Sequence, residues 1–178
     1  MSGVPIFTVG HSTRTLNEFV DLLRAGNVRR LVDVRTIPRS RTNPQYNLDA
    51  LPEALAAFQI AHTIIPELGG RRSRQKTVDP DTNAFWQNQS FHNYADHALS
   101  ADFDAGLQRL LTLAAEERCA IMCSEAVWWR CHRRIISDYL LFHDRQVFHL
   151  MGKDRVEAAK MTPGAVADEG VLKYPAVS

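Results

Sequence analysis

The sequence lacks a marked net charge, a long hydrophobic run and a large set of cysteines. Its 178 residues carry 21 Lys and Arg against 20 Asp and Glu, which is a formal net charge of +1. Such a chain has no overall field that attracts polyanions, so any basic site must be local. No apolar run approaches the roughly 18 residues of a membrane helix, and residues 1–10 contain no basic segment followed by an apolar core. We therefore expect no membrane association and no export signal.

Cysteine is scarce, since the chain contains only Cys119, Cys123 and Cys131. An odd number of cysteines in a chain that does not need disulfides to fold predicts reduced thiols and a cytoplasmic location. The length fits a single domain over residues 1–178. We expect its core at about residues 4–151, followed by an irregular tail at residues 152–178.

Short apolar runs alternate with amphipathic segments along most of the chain. Thr15 and Glu18 match a capping box at the start of one predicted helix, and Phe103 and Leu107 belong to the clearest amphipathic pattern. The runs between the helices are almost entirely apolar, which is typical of strands buried on both faces of a parallel sheet. Strands are predicted at residues 5–9, 31–34, 62–65, 119–123 and 146–150. The predicted fold is α/β, a single doubly wound, mostly parallel sheet of about five strands with helices on both faces.

Two segments are predicted to be loops. Residues 36–47 are rich in Pro, Ser, Thr and Asn, and residues 71–90 are polar and longer than an ordinary connection. The second loop is expected to be functional or mobile, and it could close over a ligand as a lid. Aromatic residues in and near it could stack on nucleic-acid bases, but such rings more often anchor a loop to its domain. These residues are Phe85, Trp86, Phe91 and Tyr94.

Polar residues follow four consecutive predicted strands. In chain order they are Gly10-His11-Ser12, Asp33-Val34-Arg35 with Arg39-Ser40-Arg41, Glu67 with Gly69-Gly70-Arg71-Arg72, and Cys123-Ser124-Glu125 with Cys131-His132-Arg133. Ligands of open α/β sheets bind at the carboxyl ends of the strands, so these side chains are expected at one edge. We predict that His11, Arg35, Arg41, Glu125 and residues 131–133 line one cavity.

The same segments resemble a bacterial and archaeal family, the domain of unknown function 488 family. The resemblance rests on Gly10-His11-Ser12, the stretch from Asp33 to Arg41, Leu68-Gly69-Gly70 with Arg71 or Arg72, Met122-Cys123 with Glu125, and Cys131-His132-Arg133. It implies an α/β domain with a site built from these motifs. It implies no particular activity, because none is settled for the family.

The arginines favour an anionic ligand. Guanidinium groups bind phosphate or carboxylate through two parallel hydrogen bonds, and helix amino termini at the same edge add backbone donors. We therefore expect a phosphate-bearing small molecule or nucleic acid as the partner, although surface ion pairs are an alternative interpretation of these arginines. The predicted substrate-binding residues are Ser12, Arg35, Ser40, Arg41, Gly70, Arg71 and Arg133.

The candidate catalytic residues are Glu125, Asp33, His11, Cys123 and His132. Glu125 and Asp33 would transfer protons, but Asp33 could equally be a buried acceptor that holds the following loop. His11 and His132 could shuttle protons, whereas a lone histidine more often supports a turn. Cys123 could ionise beside a helix amino terminus and act as a nucleophile, or it could be a small buried apolar residue.

The leading prediction is an enzyme that hydrolyses a nucleotide-like substrate or transfers a group from it. No complete dinucleotide fingerprint, phosphate-binding loop or phosphatase Cys-x5-Arg motif is present, so those classes are disfavoured. One alternative is a metal-binding or thiol-based sensor domain that holds zinc or iron with Cys123, Cys131 and His132, although their spacing matches no recurrent zinc motif. Another is a non-catalytic nucleic-acid-binding module. The sequence specifies neither the substrate nor the oligomeric state.

Overall fold

A computed structural model describes residues 3–177 of the chain. Its strands are β1 (Ile6–Gly10), β2 (Arg30–Asp33), β3 (Ala61–Ile64), β4 (Cys119–Cys123), β5 (Val147–Gly152), β6 (Arg155–Ala158), β7 (Val166–Asp168) and β8 (Val171–Lys173). Its α-helices are α1 (Leu16–Ala25), α2 (Leu51–Ala56), α3 (Gln89–His97), α4 (Ala101–Glu116) and α5 (Arg133–Phe142). Short 3₁₀ helices lie at Pro44–Tyr46, Pro66–Leu68 and Trp128–Arg130.

Six strands form one sheet in the order β3-β2-β4-β1-β5-β6. The first five are parallel to one another, and β6 pairs antiparallel with β5 at the edge. The predicted doubly wound, mostly parallel α/β sheet is confirmed. The capping box is confirmed as well, because the Thr15 side chain accepts from the Glu18 N–H while Glu18 accepts from the Thr15 N–H.

The central strands contribute side chains to two hydrophobic cores. Ile6 and Ile121 belong to the core that α3, α4 and α5 cover, and Phe7 and Ala120 belong to the core that α1 and α2 cover. Successive residues of a strand point to opposite faces of the sheet, so a strand covered on both faces needs apolar residues at every position. This is why the strand sequences show almost unbroken apolar runs.

The chain leaves the neighbouring strands β1 and β4 toward opposite faces of the sheet, because α1 covers one face and α5 the other. Parallel strands whose connections diverge in this way leave a crevice at their carboxyl ends, which is the general ligand position in open α/β sheets. Backbone hydrogen bonds continue beyond the strands here. The His11 N–H donates to the Cys123 carbonyl and the Ser12 N–H to the Ser124 carbonyl, both at 3.0 Å. The two segments therefore lie side by side along the crevice.

The structure differs from the prediction in two places. Residues 152–178 were expected to be irregular, but β6 and the antiparallel pair of β7 and β8 form there. The helix α3 begins at Gln89, inside the predicted loop of residues 71–90. The rest of that loop is anchored by Trp86, which stacks on Phe91 with a centroid distance of 4.9 Å and meets Tyr174 edge-on. Anchoring was the commoner of the two interpretations of these rings.

Within residues 3–177, no helix has the length and apolar character that crossing a bilayer requires.

Candidate functional site

A polar cleft lies at the carboxyl ends of β1, β2 and β4. Its inner part has a volume of about 280 Å³. The inner part is lined by residues that include Gly70, Arg71, Phe91, Cys123, Arg130, Cys131 and His132, the outer part by His11, Ser12, Arg39 and Ser40, and both parts by Arg35, Ile37, Ser124 and Glu125. Most of the predicted site residues therefore meet in one place, although they are widely separated in the sequence.

Three predicted site residues do not line this cleft. Asp33 and Arg133 have no exposed surface and lie among buried residues beneath it. Arg41 is exposed and lines a neighbouring groove with Arg39 and Ser40. The expectation that Arg41 and Arg133 share a cavity wall with His11 is thus corrected. The loop of residues 36–47 carries Arg41 outward, and the helical periodicity of α5 turns Arg133 inward.

Asp33 and Arg35 form a two-pronged ion pair at the end of β2. The Arg35 Nε lies 2.9 Å from Asp33 Oδ1 and its Nη2 lies 2.7 Å from Oδ2, while His62 Nε2 lies 3.2 Å from Oδ2. Burial opposes ionisation of Asp33, but the hydrogen bonds from His62 and Arg35 outweigh it, so the pKa of Asp33 is lowered. A carboxylate held in this way stays ionised near neutral pH. Its geometry fits the alternative role of a buried acceptor that positions Arg35 and the following loop.

His11 is oriented by contacts on both ring nitrogens. Its Nδ1 lies 2.8 Å from the Ser12 carbonyl, which can only accept, so Nδ1 carries the proton and Nε2 is left as an acceptor. That Nε2 lies 3.5 Å from Nη1 of Arg35, and the ring stacks on Tyr46. Burial lowers the pKa of His11. The ring is therefore neutral at pH 7 and presents a proton acceptor beside Arg35.

Arg133 is the largest completely buried side chain, and each of its three guanidinium nitrogens donates a hydrogen bond. Its Nε donates to Cys123 Sγ at 3.0 Å, Nη1 to Thr8 Oγ1 at 3.0 Å, and Nη2 to the Glu125 carbonyl at 2.7 Å. It therefore holds the ends of β1 and β4 together under the cleft. One signal of this burial is present in the sequence, because Ile136 and Leu140 follow at helical spacing and both are buried.

Cys131 lies at the amino terminus of α5, where the backbone N–H of Arg133 donates to its sulfur at 3.4 Å. His132 Nδ1 lies 3.5 Å from the same sulfur, and His132 Nε2 lies 2.8 Å from the Val34 carbonyl. Since Nε2 must donate to that carbonyl, Nδ1 is free to accept the thiol proton. Burial would raise the pKa of Cys131, but interactions with Cys123 and Arg133 stabilise the thiolate and lower the pKa to about 7. Sequence reasoning placed Cys131 on the cavity wall and in a possible metal-binding or thiol-based sensor site, and did not predict it as a nucleophile.

Cys123 differs from Cys131, because its thiol keeps its proton near neutral pH. Its thiol donates to the Glu125 carbonyl at 3.6 Å, and burial raises its pKa well above the ordinary value. Burial also raises the pKa of Cys119, to about 11. Of the three cysteines, Cys131 is the one that ionises near neutral pH, and the nucleophilic character that the sequence suggested for Cys123 fits Cys131 better.

The three predicted metal ligands are not arranged as a metal site. Among residues 3–177, no three side chains of His, Cys, Asp or Glu converge as ligands of one ion. The Cys123 sulfur already accepts a hydrogen bond from the positively charged guanidinium of Arg133. One nitrogen of His132 already donates to the Val34 carbonyl. Because of these contacts, Cys123, Cys131 and His132 lie near one another without being arranged as ligands of one metal ion.

Two glycines permit close approaches around the cleft. A Cβ on Gly10 would overlap the backbone oxygen of Glu125, and a Cβ on Gly70 would overlap the imidazole of His132 at Nδ1. Gly10 therefore lets the segment after β4 cross over the end of β1. Gly70 lets the segment after β3 pack directly against the ring beside Cys131.

Three charged side chains of the cleft remain unpaired. Within residues 3–177, the side chains of Arg71, Arg130 and Glu125 form no salt bridge, and all three residues are exposed. By contrast, Arg72 is tied to the carbonyls of Gly69 and Pro66. The unpaired groups are available to a ligand.

The comparisons with known proteins agree with the resemblance seen in the motifs. A family model described as Domain of unknown function DUF488 matches residues 15–140, which include every cleft residue except His11, Ser12 and Thr13. No curated protein and no solved structure matches the chain. Because the family match covers more than half of the 178 residues, the chain belongs to the DUF488 family.

Proposed function

We propose that the chain is an enzyme that binds a phosphate-bearing substrate, a nucleotide or nucleic acid, in the cleft and either hydrolyses it or transfers a group from it. The observation that carries this proposal is the pair Arg71 and Arg130. Both line the inner cleft, and neither has a carboxylate partner within the described residues. Unpaired guanidinium groups that converge on a concave site favour a multiply charged anion.

The neighbouring residues divide between holding the substrate and supporting the residues that hold it. Ser12 and Ser40 line the outer cleft and supply hydroxyl groups, and Gly70 exposes backbone in the inner cleft. Arg35 presents Nη1 near His11, while its other nitrogens are bound to Asp33 and the Tyr46 carbonyl. Arg35 is thus a preorganised donor, and Asp33 is its positioning residue in this proposal.

Glu125 is the candidate for proton transfer. Its carboxylate is exposed, lines both parts of the cleft and has no cationic partner among the described residues. His11 lines the outer part of the same cleft, and its Nε2 is unprotonated. A carboxylate and a neutral imidazole in one cleft are suitable for general acid and base catalysis.

Apolar surface inside the cleft favours a nucleotide over a bare phosphate. Ile37 is 53% exposed and lines both parts, and Phe91 lines the inner part. A flat aromatic base can pack against such side chains while its phosphates reach the arginines, since stacking on aromatic rings tolerates any base.

The test of binding is a calorimetric titration with mononucleotides and with short single-stranded oligonucleotides, comparing the parent with Arg71→Ala and Arg130→Ala. Loss of one charged hydrogen bond of about 1.5–3 kcal/mol weakens binding by roughly 10-fold to 100-fold. The matched control is Arg29→Ala, because Arg29 is exposed, forms no salt bridge with any described residue and precedes β2 at the opposite end of the sheet. Equal affinities for the parent and both cleft variants would contradict the proposal.

The test of catalysis compares turnover of the nucleotides that bind, followed by chromatography of substrate and product, in the parent and in Glu125→Gln. Removing a positioned acid or base reduces turnover by about 100-fold to 10,000-fold. Binding without turnover in the parent, with an affinity that falls steeply as salt rises, would instead support a non-catalytic nucleic-acid-binding module.

A further inference from the structure

The geometry points to a redox-active dithiol on the floor of the cleft, in which the sulfur of Cys131 attacks a disulfide of a small anionic molecule and Cys123 completes the exchange. The proposed phosphate chemistry uses neither sulfur, so this activity is independent of it.

The first observation is that one residue contacts both sulfurs. The Nε of Arg133 lies 3.0 Å from Cys123 Sγ, and the backbone nitrogen of Arg133 lies 3.4 Å from Cys131 Sγ. Arg133 has no exposed surface, so these contacts lie in the protein interior. The thiols of Cys123 and Cys131 also interact directly with each other, which shifts the pKa of both, so the two sulfurs are close neighbours.

The second observation is that both cysteines line the cleft. Cys123 and Cys131 line the inner part, and they retain 4% and 6% of their surface exposed. Cys119 occupies the other end of β4, has no exposed surface and does not line the cleft. Two of the three cysteines therefore border the cleft.

The third observation is that the two thiols have different environments. Cys131 has a backbone donor from Arg133 and a proton acceptor, His132 Nδ1, beside it. Cys123 instead donates its thiol hydrogen to the Glu125 carbonyl. Attack by one ionised thiol followed by a second, protonated one is the usual division of work in dithiol exchange, and an attacking thiol works best when its pKa lies near the ambient pH. The pKa of Cys131, about 7, meets that condition.

The exchange has two balanced steps. The Cys131 thiolate attacks one sulfur of the substrate disulfide, forms a mixed disulfide and expels the first substrate thiolate, which takes up a proton. Cys123 then loses its proton, attacks the sulfur of Cys131 and expels the second substrate thiolate, which is also protonated. The two protein thiols lose two electrons and two protons, and the substrate disulfide becomes two thiols.

The charges around the cleft indicate the class of disulfide. Arg71 and Arg130 line the inner part beside the two sulfurs and form no salt bridge among the described residues. Carboxylates of a small peptide-like disulfide would pair with these guanidinium groups and carry its sulfur atoms toward Cys131. Glutathione disulfide has this chemistry and is the probe that we choose.

The experiment incubates the reduced, folded full chain with glutathione disulfide and measures the intact mass and the linked peptides after digestion without reductant. The parent is expected to lose two hydrogens and to yield one linked peptide that joins Cys123 to Cys131. Cys123→Ser is expected to accumulate one glutathione on Cys131, and Cys131→Ser to lose both reactions. The measurement on the parent stands without the variants, so a variant that folds poorly does not remove the test.

Cys119→Ala is the matched control, and it is expected to form the same linked peptide as the parent. A parent that ends as a stable mixed disulfide, or that does not react, would overturn the dithiol proposal. So would a Cys131→Ser variant oxidised as fast as the parent. None of these outcomes depends on nucleotide binding, so the titrations of Arg71→Ala and Arg130→Ala remain a separate test of the proposed function.

Discussion

Asp33 and Arg35 close a two-pronged ion pair in which the carboxylate side chain is 0% exposed and the arginine side chain 5% exposed. Asp33→Ala leaves the guanidinium buried without its counter-charge, which costs about 3–5 kcal/mol in a buried pair. Urea unfolding should therefore show a large loss of stability. The control is Asp49→Ala, because Asp49 and Arg39 lie 4.0 Å apart and are both more than 70% exposed. Exposed pairs contribute about 0–1 kcal/mol, and equal losses for the two variants would contradict this account of Asp33.

The carboxylate of Asp33 also makes the stability of the fold depend on pH. Because the pKa of Asp33 is lower in the folded chain than the ordinary value near 3.9, its ionised form stabilises the fold above about pH 4. That contribution is lost as the pH falls through the lowered pKa. The difference in unfolding free energy between the parent and Asp33→Asn should therefore shrink as the pH falls from about 6 toward 3. A difference that stays constant over this range would show that folding does not lower the pKa of Asp33.

Cys131 should be the thiol that reacts first with iodoacetamide in the folded protein. With a pKa of about 7, its rate of alkylation should be half-maximal near pH 7, whereas a free cysteine has a pKa of about 8.5. Peptide mass mapping after brief labelling across a pH series measures both the site and the profile. Cys131→Ser should abolish early labelling and Cys119→Ala should leave it unchanged. Early labelling of Cys123, or a profile centred near pH 8.5, would contradict the assignment.

Gly70→Ala should disturb the environment of Cys131 without touching it directly. The added Cβ would overlap His132 at Nδ1, so the ring or the loop must move, and overpacking of this kind costs about 1–3 kcal/mol. We expect lower stability in urea together with slower alkylation of Cys131 near neutral pH. Gly152→Ala is the matched control, since nothing lies within 4 Å of a Cβ added there. Unchanged alkylation in Gly70→Ala would show that the contact between Gly70 and His132 does not control the reactivity of Cys131.

Strands β1 and β4 could be predicted from the sequence because burial on both faces demands apolar runs, and both are buried along their whole length. The edge strand β6 could not, because Arg155, Val156 and Ala158 are exposed and its pairing with β5 depends on backbone hydrogen bonds. Helix α3 was missed for a related reason. Its buried side includes Asp96 and His97, polar residues that a search for apolar periodicity does not count.

The convergence of the site residues on one cleft could also be predicted, since it follows from the strand order and from the position of each motif after its strand. What could not be predicted is which side chains face the ligand. Arg133 lies on the buried face of α5, and Arg35 is largely engaged by Asp33, so neither resembles the free arginines that composition alone counts. Arg130 is the opposite case, because it lines the cleft although it belongs to no obvious motif. Its position next to Cys131 places it on the cleft wall.

The charges on the edge strand β6 affect whether a second molecule can add a strand to the sheet. An open sheet border offers unsatisfied amide and carbonyl groups that another polypeptide can extend. Here that border carries Arg155 and Glu157, which form an ion pair at 3.3 Å. A second copy of β6 that paired parallel and in register would bring like charges together and strip water from them, so the charges disfavour this kind of strand addition. The same charges that make β6 difficult to predict from the sequence thus disfavour this form of aggregation through the edge of the sheet.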